Sequence, residues 1–174
     1  MKKVCFIIIF FVIIALAPGC ISNPQPENKE SATPFNLNLR LGENEEEQVF
    51  EVTKALFKKE GDDSVVVFLT NNNNINCEDL YTTEYKEGDI TVRFNLFHKN
   101  KQKLATGAYT RDGEFSMGPE IITFQKGYLF GSDPGSIEIS QLDFASGRIE
   151  GSLFLRDTYD LQVDGKFVAL ECRD

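Results

Sequence analysis

The sequence predicts an all-β fold, an antiparallel β-sandwich or barrel of about nine short strands, behind a signal peptide and a flexible linker. Three observations carry that prediction. Apolar and polar residues alternate at period two, one β-branched run is bounded by turn residues, and Gly, Asn and Asp punctuate the chain at short intervals with no fixed repeat.

The first alternating segment places Phe35, Leu37, Leu39 and Leu41 on one face and Asn36, Asn38 and Arg40 on the other. Ile90, Val92, Phe94 and Leu96 repeat the pattern, as do Ile149, Gly151, Leu153 and Leu155. One face of such a strand is buried and one is wet. Ser64–Thr70 holds the continuous run Val65-Val66-Val67-Phe68-Leu69, which suits a central strand covered on both faces. Residues 103–109, 121–124, 128–130, 137–144 and 161–172 are the further strands expected. Within the last, Gly165 reads as a bulge in one long strand paired back to 148–156 through the turn at 157–160.

Helix and strand compete over 44–61. Asn44 and Glu47 resemble a capping box, acids lead, lysines trail and Gly61 sits where a C-cap would. Against this, Val49, Phe50, Val52, Ala55, Leu56 and Phe57 cover too much of a helical circumference, and Glu60-Gly61-Asp62-Asp63 is turn chemistry leading into the valine run. The adopted reading is strand.

At 174 residues the chain holds one domain, with residues 35–174 as its body. Residues 1–19 form a separate leader: Lys2 and Lys3 precede a 14-residue apolar run, Val4 to Ala17, interrupted only by Cys5. That run is shorter than the roughly 20 residues a bilayer span requires, so it reads as a signal-peptide core. Removing the leader takes away two lysines and no acids, moving the net charge from -9 to -11. An acidic surface of this kind repels nucleic acid and anionic headgroups alike.

The apolar run ends in Leu16-Ala17-Pro18-Gly19-Cys20, which resembles the lipobox of bacterial and some archaeal lipoproteins. The resemblance covers about the first 20 residues. It implies a diacylglyceryl thioether on Cys20 and cleavage between Gly19 and Cys20, with small Ala17 and Gly19 suiting the peptidase; Pro18 departs from the commonest pattern. Acyl burial contributes about 0.8 kcal/mol per methylene, so two chains anchor firmly. The expected location is a cell membrane or outer membrane, facing the periplasm or the exterior. Residues 20–34, the lipidated cysteine and its proline-rich continuation, then form a flexible tether reaching at most about 50 Å.

With Cys5 lost and Cys20 acylated, Cys77 and Cys172 remain in an exported chain, and a disulfide between them is expected. His98 is the only histidine; beside Lys99-Asn100-Lys101 it reads as an exposed structural residue. One His and two paired cysteines leave no zinc site, and Asp62-Asp63, Glu45-Glu46-Glu47 and Asp157/Asp160 lack the spacing of a calcium loop. These acids, and the Asn71–Asn74 run, read as solvated turns. Glycines are spaced as turns rather than as a phosphate cradle, so no catalytic residue, metal or cofactor is assigned. The expected function is a non-enzymatic binding or interaction module of the cell envelope, whose partner is an envelope protein or ligand. The alternatives are a β-barrel carrier of a hydrophobic ligand and a carboxylate-based envelope hydrolase.

Overall fold

The computed structural model describes residues 33–43, 45–124, 127–130, 134–157 and 160–172. The expected signal peptide and the lipobox-like segment with Gly19 and Cys20 lie outside the described residues. The domain is all-β, with strands β1 (Phe35–Leu41), β2 (Gln48–Val52), β3 (Lys54–Lys59), β4 (Ser64–Thr70), β5 (Ile90–His98), β6 (Gly107–Thr110), β7 (Phe115–Thr123), β8 (Gly127–Leu129), β9 (Gly135–Asp143), β10 (Arg148–Arg156) and β11 (Leu161–Glu171). They form one curled half-barrel sheet in the order β6-β9-β10-β11-β3-β4-β5-β7-β8, with β1 pairing both β11 and β2.

The described pairings are antiparallel except one. β11 meets β3 in parallel, Leu170 opposite Leu56 and Glu171 opposite Phe57, which makes the sheet mixed where a wholly antiparallel one was expected. Curling encloses the alternating apolar faces: Leu37, Leu39, Phe57, Val67, Phe94, Ile121, Ile149, Leu155, Val163 and Phe167 belong to one buried core. The disputed segment 44–61 contains two strands meeting at Thr53, whose N–H donates to Thr70 O (3.0 Å). The Glu60 N–H then donates to Ser64 O (3.0 Å) across the hairpin turn into β4.

Other expectations need correction. Of 103–109 only the end joins a strand, because the Tyr109 hydroxyl donates to Ala105 O (2.8 Å) and accepts from Ala105 N (3.3 Å), satisfying backbone that a ladder would otherwise pair. β7 starts well before Ile121 and contains Pro119, whose nitrogen faces away from β5 toward a stretch that, among the described residues, β8 does not reach. Gly165 is no bulge: the β10–β11 register runs unbroken from Arg148 opposite Leu170 to Arg156 opposite Gln162. Its φ of 146° and a Cβ that would lie 2.7 Å from Leu37 Cδ2 show instead that β1 crosses closely here. The register shift lies between β9 and β10, at Glu150/Gly151.

β4 is buried on both faces, as its valine run predicts. Val65, Val67 and Leu69 enter the main core, while Val66 and Phe68 form a second cluster with Ile75 and Leu80 from the connection between β4 and β5, packed by Leu56, Tyr85 and Cys172. That connection folds over the outside of the sheet as a lid. Its asparagines build it. Asn72 is buried, accepts from Asn74 N (2.9 Å) and donates to Glu84 O (3.2 Å); Asn71 accepts from Ile90 N (2.7 Å); and Asn76 accepts from Glu78 N and Asp79 N, each at 3.0 Å.

Candidate binding trough

Cys77 in the lid and Cys172 after β11 stand at disulfide distance, with Cα atoms 5.2 Å apart. The other sequence candidates do not converge. His98 is buried rather than exposed, at 4% accessibility, because the β5–β7 pairing carries it beneath Phe115, whose ring it meets edge-on at 4.9 Å. Its Nδ1 accepts from Asn100 N (3.1 Å), and its Nε2 lies 3.4 Å from Glu114. Asp63 offers its carbonyl to His98 N (3.1 Å), Asp157 accepts from Leu161 N (3.0 Å), and Asp160 lies 3.6 Å from Arg156. These are roles in turns and strand ends. Among the described residues no three His, Cys, Asp or Glu side chains come together as a metal site.

Perturbed acidities also mark structure. Burial, followed by a 2.7 Å hydrogen bond to Glu60, pushes the Tyr81 phenol up to about 12. The Ser146 hydroxyl, 2.7 Å from Asp143, holds that carboxyl below its ordinary value. Burial lowers Lys54, whose ammonium donates to Asn73 O (2.9 Å) and Ile75 O (2.6 Å) and so ties the lid to β3.

What the sequence reading missed is an open trough of about 680 Å³ along β10 and β11. Alternation points Arg148, Glu150 and Ser152 away from Ile149, Leu153 and Leu155, and Lys166, Val168 and Leu170 away from Phe167 and Ala169. Register then sets Arg148 beside Leu170, Glu150 beside Val168 and Ser152 beside Lys166 across the floor. Thr33, Pro34 and Phe35 contribute to the lining where the chain enters the domain.

Two local devices shape the floor. Gly151 faces inward, where an added Cβ would lie 3.0 Å from the Phe167 ring, so its lack of a side chain lets Phe167 pack beneath. The register shift beside it leaves an extra residue on β9, and Ser140 there donates to Glu150 O at 3.3 Å. Arg148 Nε holds Glu150 Oε1 at 2.7 Å. Glu150 is the only carboxylate among the described lining residues, against Arg148 and Lys166. Two cations thus line a trough in a chain of net charge -9. The sequence did hold a signal: Phe167-Val168-Ala169-Leu170 is apolar on both faces, so its outer positions seek cover as well as its inner ones. The chain matches no protein-family model, no curated protein and no solved structure.

Proposed function

We propose that this chain is a lipoprotein of the cell envelope, tethered through lipid on Cys20, whose β-domain binds a partner in the β10–β11 trough. The trough carries the binding reading. It is open, of ligand-site size, apolar at Val168, Leu170 and Phe35, and polar at Ser140, Ser152 and Lys166, the mixture by which recognition sites combine burial with orientation. The Cys77–Cys172 geometry supports an exported domain, since such bridges persist in oxidising compartments.

The tether is tested by Cys20→Ser. The variant should pass from the detergent phase to the aqueous phase, or keep its leader; a variant that keeps wild-type mass and partition refutes the anchor. Binding is tested by a photo-crosslinking side chain at Ser152 and, as a control, at Asn95, exposed on β5 three strands away from β11 in the sheet order. Adducts from the envelope at Ser152 alone are expected, and equal adducts at both positions refute the trough as the contact surface.

A further inference from the structure

β11 has two edges, and among the described residues only one is fully paired. β10 accompanies it from Gln162 to Leu170 without a break. On the opposite edge β1 pairs Leu161 through Asp164 and β3 pairs only Leu170 and Glu171. Between them, from Gly165 to Ala169, no strand among the described residues pairs with β11. Five residues at about 3.3 Å each make a gap of about 16 Å. It borders the trough, since Lys166, Phe167 and Val168 line both.

Hydrogen bonds at the two ends of the strand fix which backbone groups face the gap. The Glu171 N–H donates to Gly147 O (2.8 Å) and Asp157 N–H donates to Leu161 O (3.0 Å), so odd-numbered residues of β11 address the β10 side. The Cys172 N–H donates to Phe57 O (2.8 Å), so even-numbered residues address the other side. The register between is unbroken, and the backbone N–H and C=O groups of Lys166 and Val168 therefore point into the gap. The gap is built in: β1 leaves β11 at Gly165, where Leu37 and Asn36 press against the position a Cβ would occupy. Pro34, on the trough wall, has no N–H to offer a ladder.

We infer that this gap is a strand-addition site for an extended peptide segment of a partner protein. The inference rests on the binding reading above and deepens it by naming the ligand class. Backbone pairing to Lys166 and Val168 supplies the attachment, as in other cases of β-augmentation. Side chains supply the selectivity. Lys166, Val168 and Leu170 succeed one another on the trough face, so the peptide should carry an acid facing Lys166 and apolar residues at the alternate positions facing Val168 and Leu170. The net positive lining favours that acid.

The test uses the full chain in detergent and a capped hexapeptide with one glutamate and two valines at alternate positions, separated by threonines, in both chain directions. Two twins accompany it: one N-methylated at alternate amides, the other with lysine in place of glutamate. In the free protein the amides of Lys166 and Val168 should exchange with deuterium at least about tenfold faster than those of Phe167 and Ala169, which face β10. The acidic peptide should slow Lys166 and Val168 about tenfold, the N-methylated twin should not, and the lysine twin should bind about fivefold more weakly at low salt, with the difference shrinking at 1 M salt. Lys166→Glu should invert the preference between glutamate and lysine peptides.

Equal protection of all four amides in the free protein would mean the edge is already closed and would overturn the inference. Equal binding by the N-methylated twin, or binding by none of the peptides, would also overturn it. If Ser152 adducts form while the peptides fail, the binding module stands and strand addition falls. None of these readouts depends on lipid at Cys20.

Discussion

The outer surface of the sheet is treated in two opposite ways. Over β3, β4 and β5 the lid buries Val66 and Phe68 under Ile75 and Leu80, asparagine side chains secure its turns, and Cys172 meets Cys77 at its rim. Along β10 and β11 the corresponding face carries Val168 and Leu170 half-buried in an open trough. Both faces present apolar residues, yet among the described residues only one is covered by the chain itself. The lidded face serves stability, and the open one is the surface on which the proposed partner would dock.

That contrast can be broken first at the disulfide. Replacing Cys77 and Cys172 by Ala removes a crosslink across 95 residues and should cost about 4–5 kcal/mol in the loop-entropy account. Urea denaturation would show the loss as a lower midpoint, and an unchanged midpoint would mean the lid is held without the bridge. Phe68→Ala comes next, at about 3–4 kcal/mol. Phe68 is fully buried and meets Tyr81 edge-on at 5.5 Å, so its truncation leaves a cavity between sheet and lid.

A smaller pair sharpens the same comparison. Asn72→Ala leaves Glu84 O and Asn74 N without their side-chain partner and should cost about 1–2 kcal/mol. Val168→Thr, which exchanges a methyl for a hydroxyl at nearly constant size on the open face, should stay within about 0.5 kcal/mol by the same denaturation measurement. A cost at Val168 as large as that at Asn72 would show the trough face to be structural after all.

How far these two faces could be read from sequence differs too. Alternation at Phe35–Leu41 and Ile90–Leu96 located half-buried strands because one face meets the core, and the valine run of β4 announced cover on both sides. The nature of that cover was not legible: a lid following β4 is a tertiary event, and Asn71–Asn74 look alike whether their side chains face water or cap a buried turn. His98 misled for the same reason, since lysines beside it mark the loop while strand pairing decides the imidazole's burial. The trough depends on which strands fail to pair with β11, and a register gap leaves no mark on composition. Only the apolar run at Phe167–Leu170 hinted that the outer side of β11 was unusual.

The smallest expected effect is electrostatic and belongs to the lidded face. Tyr81 packs on Phe68 and donates to Glu60, and its phenol titrates near 12 in the fold against about 10 in an unfolded chain. Desolvation, reinforced by the carboxylate it bonds, disfavours the phenolate, so the folded state holds this proton when the unfolded state has released it. The stabilisation is therefore complete below pH 10 and disappears as pH rises from 10 towards 12. Because Tyr81 remains 52% exposed, solvent screening reduces the effect to about 0.3 kcal/mol. Other groups titrate in the same range, so the informative quantity is the difference between wild type and Tyr81→Phe. That difference should shrink between pH 9 and pH 11.5, and a constant difference would show that the fold does not raise the phenol's pKa.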